Sequence, residues 1–231
     1  EDEAASVQQT SDGGYIIAGG EDSYGAGNSE VWLIKTDPSG NRAWKKIFGG
    51  SGYDYGQSVQ QTSDEGYIIA GSTYSYGAGN SDIWLIKTDS SGNKTWSKTF
   101  GGSEDDDGSS VQQTSDGGYI IAGYTESYGA GGRDVWLIKA DSSGNMAWNQ
   151  TFGGSSSDRG NSVRQTSDGG YIIAGITCSY ETLNCDVVLI KTDPSGNMAW
   201  NQTFGGSDFD WSSSVQQTSD GGYIIAGLTA S

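Results

Sequence analysis

The segment SVQQTSDGGYIIAG at residues 6–19 returns at 58–71, 110–123, 162–175 and 214–227, with Glu65 replacing one glycine in the second copy. Val7, Val59, Val111, Val163 and Val215 are each 52 residues apart, so no copy carries an insertion or a deletion. A fixed period of this size means that one supersecondary unit has been multiplied. Each copy then has to bury its apolar surface against the next one.

Residues 58–109 represent the unit. The apolar pattern predicts strand A at Ser58–Thr62, a turn written SDEG, and strand B at Tyr67–Gly71. The unbroken YIIAG reads as a strand covered on both faces. A longer loop, STYSYGAGNSD, leads to strand C at Ile83–Thr88, and DSSGN turns the chain into strand D at Thr95–Phe100. Glycine in such short connections takes positive φ without steric cost. Pro38 and Pro194 follow Asp in the C–D turn, where a fixed φ suits the second turn position. Although apolar residues make up only 33% of the chain, they fall in these short runs while the 38 glycines fall between them, as in a turn-rich folded protein.

Four short strands joined as a meander predict an all-β fold, a β-propeller of four-stranded antiparallel blades. The repeats are 6–57, 58–109, 110–161 and 162–213, with a partial repeat at 214–231, all in one domain. The count expected is four full blades plus a half blade, a five-bladed-like ring. Because EDEAAS aligns with residues 53–58 and the last residues follow a B strand, an excerpt of a longer array is the other reading. Trp32, Trp84 and Trp136 on strand C and Trp44, Trp96, Trp148 and Trp200 on strand D are read as packing between blades. Val188 replaces the fourth strand-C tryptophan, so that contact should be smaller. An exposed strand edge at Tyr223–Gly227 would invite self-association.

The stretch GGSGYDYGQSVQQTSDEGYIIAGSTYSYGAGNSDIWLIKTDSSGN at 49–93 resembles the SBBP-type β-propeller repeats of bacterial and archaeal secreted and cell-surface proteins. Those repeats similarly run from a GGS…D…G segment to an SGN or DGG turn and a Tyr-Val/Ile strand. The resemblance spans essentially the whole chain. It implies that strand A lines a central axis and strand D the rim, and that the module serves in display or adhesion.

Charge narrows the partners. With 12 basic and 29 acidic residues, a net charge of −17 and no histidine, the surface repels phosphate backbones and anionic lipid. Nucleic acid is therefore not an expected partner. No apolar run reaches membrane-spanning length, so membrane insertion is not expected either. Cys178 and Cys185 lie at two ends of one loop, which predicts a local disulfide, an oxidising compartment and hence an extracellular or cell-surface location.

In a meander the A–B and C–D turns share one side, and the B–C and D–A loops the other. The turn aspartates, such as Asp64 and Asp89, are read as bonding their own backbone. The loop side is where the copies differ. Position 3 of the chain recurs as Glu3, Tyr55, Asp107, Arg159 and Trp211, beside the unchanged Asp2, Asp54, Asp106, Asp158 and Asp210.

Three chemistries follow. The first is a surface glycan or protein partner, met by Tyr24, Tyr76, Tyr128, Tyr180, Tyr55, Phe209 and Trp211 as apolar platforms. Arg133, Arg159 and Arg164, expected on the same side of adjacent blades, would accept an anionic group. The second is Ca2+, held by the unchanged aspartates with Glu104, although neither EF-hand spacing nor a GGxGxD repeat is present. The third is catalysis, for which the sequence offers neither a histidine nor an activated cysteine, and repeated equivalent acids supply no asymmetric pair. The expectation is a non-enzymatic structural and adhesive surface module, with a lectin-like propeller and a calcium-stabilised scaffold as alternatives. Asn93, Asn149 and Asn201 open N-glycosylation sequons at the expected start of strand D.

Overall fold

A computed structural model describes residues 2–22, 29–179 and 184–230. The chain divides into two compact units, Glu1–Gln113 and Thr114–Ser231. The N-terminal unit holds β1 (Asp2–Gln9), β2 (Tyr15–Asp22), β3 (Ser29–Thr36), β4 (Arg42–Phe48), β5 (Asp54–Gln61), β6 (Tyr67–Thr73), β7 (Asp82–Thr88), β8 (Lys94–Phe100) and β9 (Asp106–Gln113). The C-terminal unit holds β10 (Tyr119–Thr125), β11 (Asp134–Ala140), β12 (Met146–Phe152), β13 (Asp158–Gln165), β14 (Tyr171–Cys178), β15 (Cys185–Thr192), β16 (Met198–Phe204), β17 (Asp210–Gln217) and β18 (Tyr223–Thr229). Strands β1–β4, β5–β8 and β13–β16 form complete antiparallel meanders, β10–β12 follow the same order, and β17–β18 form a hairpin.

Each sheet passes its forward face to the next repeat. In the N-terminal unit Ile16, Ala18 and Leu33 of the first sheet pack with Val59, Tyr67, Ile69 and Trp84 of the second. In the C-terminal unit Ile172, Ala174 and Leu189 pack with Val215, Tyr223 and Ile225. Polar bonds fix the register of this stacking. Ser6 Oγ accepts from the Val59 amide at 3.2 Å, Gln8 Oε1 accepts from Gln61 N–H at 2.7 Å, and Gln61 Oε1 accepts from Ser11 N–H at 2.8 Å. The tryptophans follow this packing. Trp32, Trp84 and Trp136 are buried, and the ring centroids of Trp44 and Trp148 lie 5.8 Å from those of Tyr67 and Tyr171 in the following repeat.

One part of the predicted strand pattern is corrected. Strand A begins about four residues earlier than the apolar pattern indicates, at Asp54 rather than Ser58 in the second repeat. The pattern breaks because Gln57 is skipped by the register between Gly56 and Ser58, a bulge that takes the alternation out of phase. The unchanged aspartates are therefore the first residues of strand A rather than loop residues.

The turn side is tied down by a buried cation. Lys87, 5% exposed on strand C, reaches Asp64 in the A–B turn at 2.9 Å and donates to the Thr88 carbonyl at 2.8 Å. Lys35–Asp12, Lys139–Asp116 and Lys191–Asp168 repeat the pair at 2.8–3.0 Å. The turn aspartates do bond their own backbone, as Asp64 does to Gly66 N–H at 3.2 Å, and in addition neutralise an ammonium that strand C could not bury alone. Hydrogen bonds from the Thr166 hydroxyl, the Lys191 ammonium and the Gly170 amide hold Asp168 down at about 2. Cys178 and Cys185, directly paired across β14 and β15, form a disulfide.

The turns can be tested at two residues. Glu65 sits at φ 66°, where the other copies have Gly13 at 85° and Gly117 at 81°. A left-handed non-glycine residue costs roughly 1–2 kcal/mol, partly offset by the entropy glycine loses. Glu65→Gly should therefore raise unfolding stability by about 0.5–1 kcal/mol in a urea titration. Because Asp168 lies below its ordinary 3.8, its contribution is present above that pH and disappears as the pH falls to about 2. Asp168→Asn should cost about 0.5–1 kcal/mol at pH 7, the range for a partly exposed pair, and progressively less as the pH falls through about 2, read from melting curves across pH.

Candidate functional site

At the opposite ends of the strands, carboxylates from strand C of one repeat and strand A of the next converge on a glycine. A Cβ at Gly101 would collide with Asp82 Oδ1 and lie 2.8 Å from Asp106 Oδ2. At Gly153 it would meet Asp134 and Asp158, and at Gly205 Asp186 and Asp210. The strand-A acids are held by backbone amides, Asp106 by Gly102 at 2.9 Å, Asp158 by Gly154 at 3.1 Å and Asp210 by Gly206 at 3.0 Å. Asp54 is fully buried and accepts from Gly50 N–H at 2.9 Å, Ser75 Oγ at 2.6 Å and the Thr73 hydroxyl. Asp2 is exposed on β1. Burial pushes the Asp82 carboxyl up, the Ala78 amide bonded to it pulls it down, and the charge of Asp106 raises it again. Asp134 is raised in the same way by burial and by Asp158, against the pull of the Ala130 amide.

Among the described residues no group of three or more Cys, Asp or Glu is close enough to hold a metal. Glu104 is exposed, with Ser103 Oγ at 3.4 Å.

The aromatic residues are gathered in two places. In the N-terminal unit the rings of Tyr53 and Tyr55 stack nearly parallel, 6.5 Å apart with 3° between their planes, and Tyr74 meets Tyr53 edge-on. All three are exposed, at 48%, 36% and 50%. Backbone pairing of Tyr74 N–H with the Tyr53 carbonyl at 2.8 Å brings the two loops together.

Tyr55 lies over Gly20, where a Cβ would stand 3.1 Å from its ring. The ring borders a cavity of 620 Å³ lined also by Asp2, Glu3, Gly20, Ser29 and the bulged Gln57. In the C-terminal unit the equivalent residues Phe209 and Trp211 stack at 6.1 Å and 21°. Trp211 borders a 440 Å³ cavity with Asp210, Ile225 and Leu228.

Position 55 was legible as a variable site; its partner at position 20 was not. The same comparison of copies contains the signal, because Gly20 recurs as Ser72, Tyr124, Ile176 and Leu228. Tyr124 is 7% exposed and carries two guanidinium groups over its ring, Arg133 at 4.3 Å and Arg159 at 5.4 Å. Arg133 Nε also pairs with Glu126 at 2.7 Å. Thus a glycine leaves this slot open and a tyrosine fills it with a cation–π cluster. Arg164 does not join that cluster. It pairs with Ile172 near the turn end of β13, and its guanidinium donates to the Val163 carbonyl at 2.8 Å. Five residues along a strand are enough to carry it to the other side.

Tyr76 and Tyr128 are exposed but not free platforms. Their rings lie 5.2 Å from Trp84 and 5.3 Å from Trp136, and the Tyr76 hydroxyl donates to the Gly49 carbonyl at 2.7 Å. Tyr24 and Tyr180 lie outside the described residues. The sequon asparagines Asn93, Asn149 and Asn201 are exposed, but only Asn93 precedes its strand; Asn149 and Asn201 are the fourth residues of β12 and β16.

No family model matches the chain. No curated protein matches it either. Solved structures do. The WD40 domain of Neurospora crassa Pan2 aligns with a TM-score of 0.60 at 12% identity, over 97% of this chain and 60% of that one. A protein of unknown function from Bacteroides caccae aligns at 0.57 and 10% identity, over 91% and 64%. A hypothetical protein from Leishmania major aligns at 0.50 and 12% identity, over 99% and 82%. The chain thus spans about 60–64% of the length of the first two of these structures. At such identities the likeness concerns the fold, and it defines a propeller-like repeat protein.

The carboxylate pairs generate a prediction opposite in sign to that of Asp168. Since Asp82 and Asp134 are raised above 3.8, their contribution is fully present below that pH and is lost as the pH rises through their folded values. Asp82→Asn keeps an acceptor for the Ala78 amide and removes the repulsion. Its melting temperature should therefore gain on the parent protein as the pH is raised from 4 to 7. Gly101→Ala should destabilise the N-terminal unit by more than about 2 kcal/mol, read by denaturant titration.

Proposed function

We propose that the chain is a non-catalytic extracellular adhesion module of the β-propeller class, and that its adhesive chemistry is saccharide binding. The class proposed is that of SBBP-type repeats, with four-stranded blades numbering four and a half in this sequence. The observation that carries the binding reading is the exposed parallel stack of Tyr53 and Tyr55 beside the 620 Å³ cavity. A flat apolar face suits the C–H face of a sugar ring, while Glu3, Ser29 and Gln57 offer acceptors and donors for hydroxyl groups.

Phe209 and Trp211 repeat the arrangement in the other unit, where Trp211 again borders a cavity. Two weak sites in one chain raise the avidity for a polymeric glycan without any new contact. The acidic surface favours neutral sugars over anionic ones. The disulfide and the absence, among the described residues, of a helix able to cross a membrane accord with an extracellular setting.

Neutral oligosaccharides titrated against the protein and followed by calorimetry test the reading. Saturable binding is expected, and Tyr55→Ala and Trp211→Ala should each weaken it by roughly 3- to 10-fold at their own site, the value of one aromatic stacking contact. A glycan array with no saturable hit would sink the proposal.

A further inference from the structure

In the N-terminal unit Trp84 of β7 inserts between its own sheet and the one before it. Its indole is buried and packs with Val31, Leu33 and Phe48 of the first sheet. Within the C-terminal unit, the junction between the third and fourth repeats presents the same residue types, Val135, Leu137 and Phe152 of the third sheet. The residue that meets them from β15 at the tryptophan position is Val188. Val188 stands opposite Gly175 as Trp84 stands opposite Gly71, so the register is unchanged and only the side chain is smaller.

The smaller residue leaves space. A cavity of 420 Å³ is bordered by Val188, Ile190, Asn201 and Thr203 of the fourth repeat together with Val135 and Phe152 of the third. Its volume falls in the range of small-molecule sites. One polar group suited to an indole is also in place. In the third repeat the Trp136 indole N–H donates to Asn149 Oδ1 at 3.1 Å. The residue equivalent to Asn149 one repeat later is Asn201, and the two pair with Ile138 and Ile190 in the same register. The fourth repeat thus keeps the acceptor for an indole N–H while its own strand C supplies no indole.

We propose that this cavity is a binding site for a small heteroaromatic ligand of the indole class, seated against Val135 and Phe152 with its ring N–H donated to Asn201 Oδ1. The chain's own copies identify the occupant. An indole packs against the same residue types at Trp84, and an indole N–H meets the same asparagine position at Trp136. A space left by a large-to-small exchange is filled favourably by a molecule of the shape removed, because the lining atoms gain dispersion contacts. A neutral ring also suits a protein of net charge −17 better than an anionic ligand. The reading is independent of saccharide binding, since none of Tyr53, Tyr55, Phe209 and Trp211 borders this cavity.

Calorimetric titration of the 231-residue chain with indole, its disulfide intact, tests the site. Saturable binding at one site per chain is expected. N-methylindole, which lacks the N–H, should bind roughly 3- to 10-fold more weakly, the range of one neutral hydrogen bond. Asn201→Ala changes an exposed residue and should weaken indole by the same factor while leaving N-methylindole unaffected. Val188→Trp restores the side chain found in the other copies, so it should keep the far-UV spectrum and abolish binding of both compounds. Three results would each overturn the proposal. They are a parent chain that shows no saturable binding, indole and N-methylindole bound equally well, and a folded Val188→Trp variant that binds indole as the parent does.

Discussion

Val59 packed on Ile16, Ala18 and Leu33 is the contact on which the rest of the structure depends. A four-stranded sheet that is apolar on both faces cannot bury itself, and each sheet here finds its cover in the first strand of the repeat that follows. The consequence is a strict geometry. Ser6 and Gln8 bond the next strand A at defined distances, and the same bonds recur from Ser58 and Gln60. Fixing strand A in this way also fixes where its outer end, with Asp54 and Tyr55, emerges beside the preceding sheet.

The two sides of the sheets handle charge in opposite ways. On the turn side a buried lysine meets an aspartate held by its own turn, so charge is neutralised and acid weakens it. On the loop side two carboxylates meet around a glycine, and at Asp82 burial and the charge of Asp106 favour the protonated form. Stability in this protein is therefore shaped by carboxylates that pull in contrary directions as the pH changes. The loop side also carries the variation between repeats, and with it any chemistry that distinguishes one junction from another. Gly20 leaves a cavity under Tyr55, whereas Tyr124 closes the equivalent place and gathers Arg133 and Arg159.

Much of the strand order was legible because its signals are local. Glycine at positive φ marks the A–B and C–D turns, as at Gly13 and Gly40, and unbroken YIIAG marks a strand covered on both faces. The disulfide was legible because two cysteines replace ordinary loop residues at both ends of one connection. The start of strand A was not, since the bulge at Gln57 breaks the alternation on which pattern reading relies. Arg164 was misplaced for the same reason: a residue's side depends on strand length, which the pattern had shortened. The Lys87–Asp64 and Asp82–Asp106 pairs were hidden because their members are distant along the chain. Only the pairing of strands within a sheet, or the stacking of one sheet on the next, brings them together.

By itself the sequence determined the period, the strands and turns within it, and the need for neighbouring copies to cover each other, because these follow from local conformational preference and apolar spacing. Tertiary structure alone decided which side chains meet at a junction. Tyr55 of the second sheet comes to lie over Gly20 of the first, and both border a cavity, only when two sheets are stacked in register. Contacts of that kind depend on distances between strands of different repeats, and no spacing along one chain encodes them without the packing that brings the strands together.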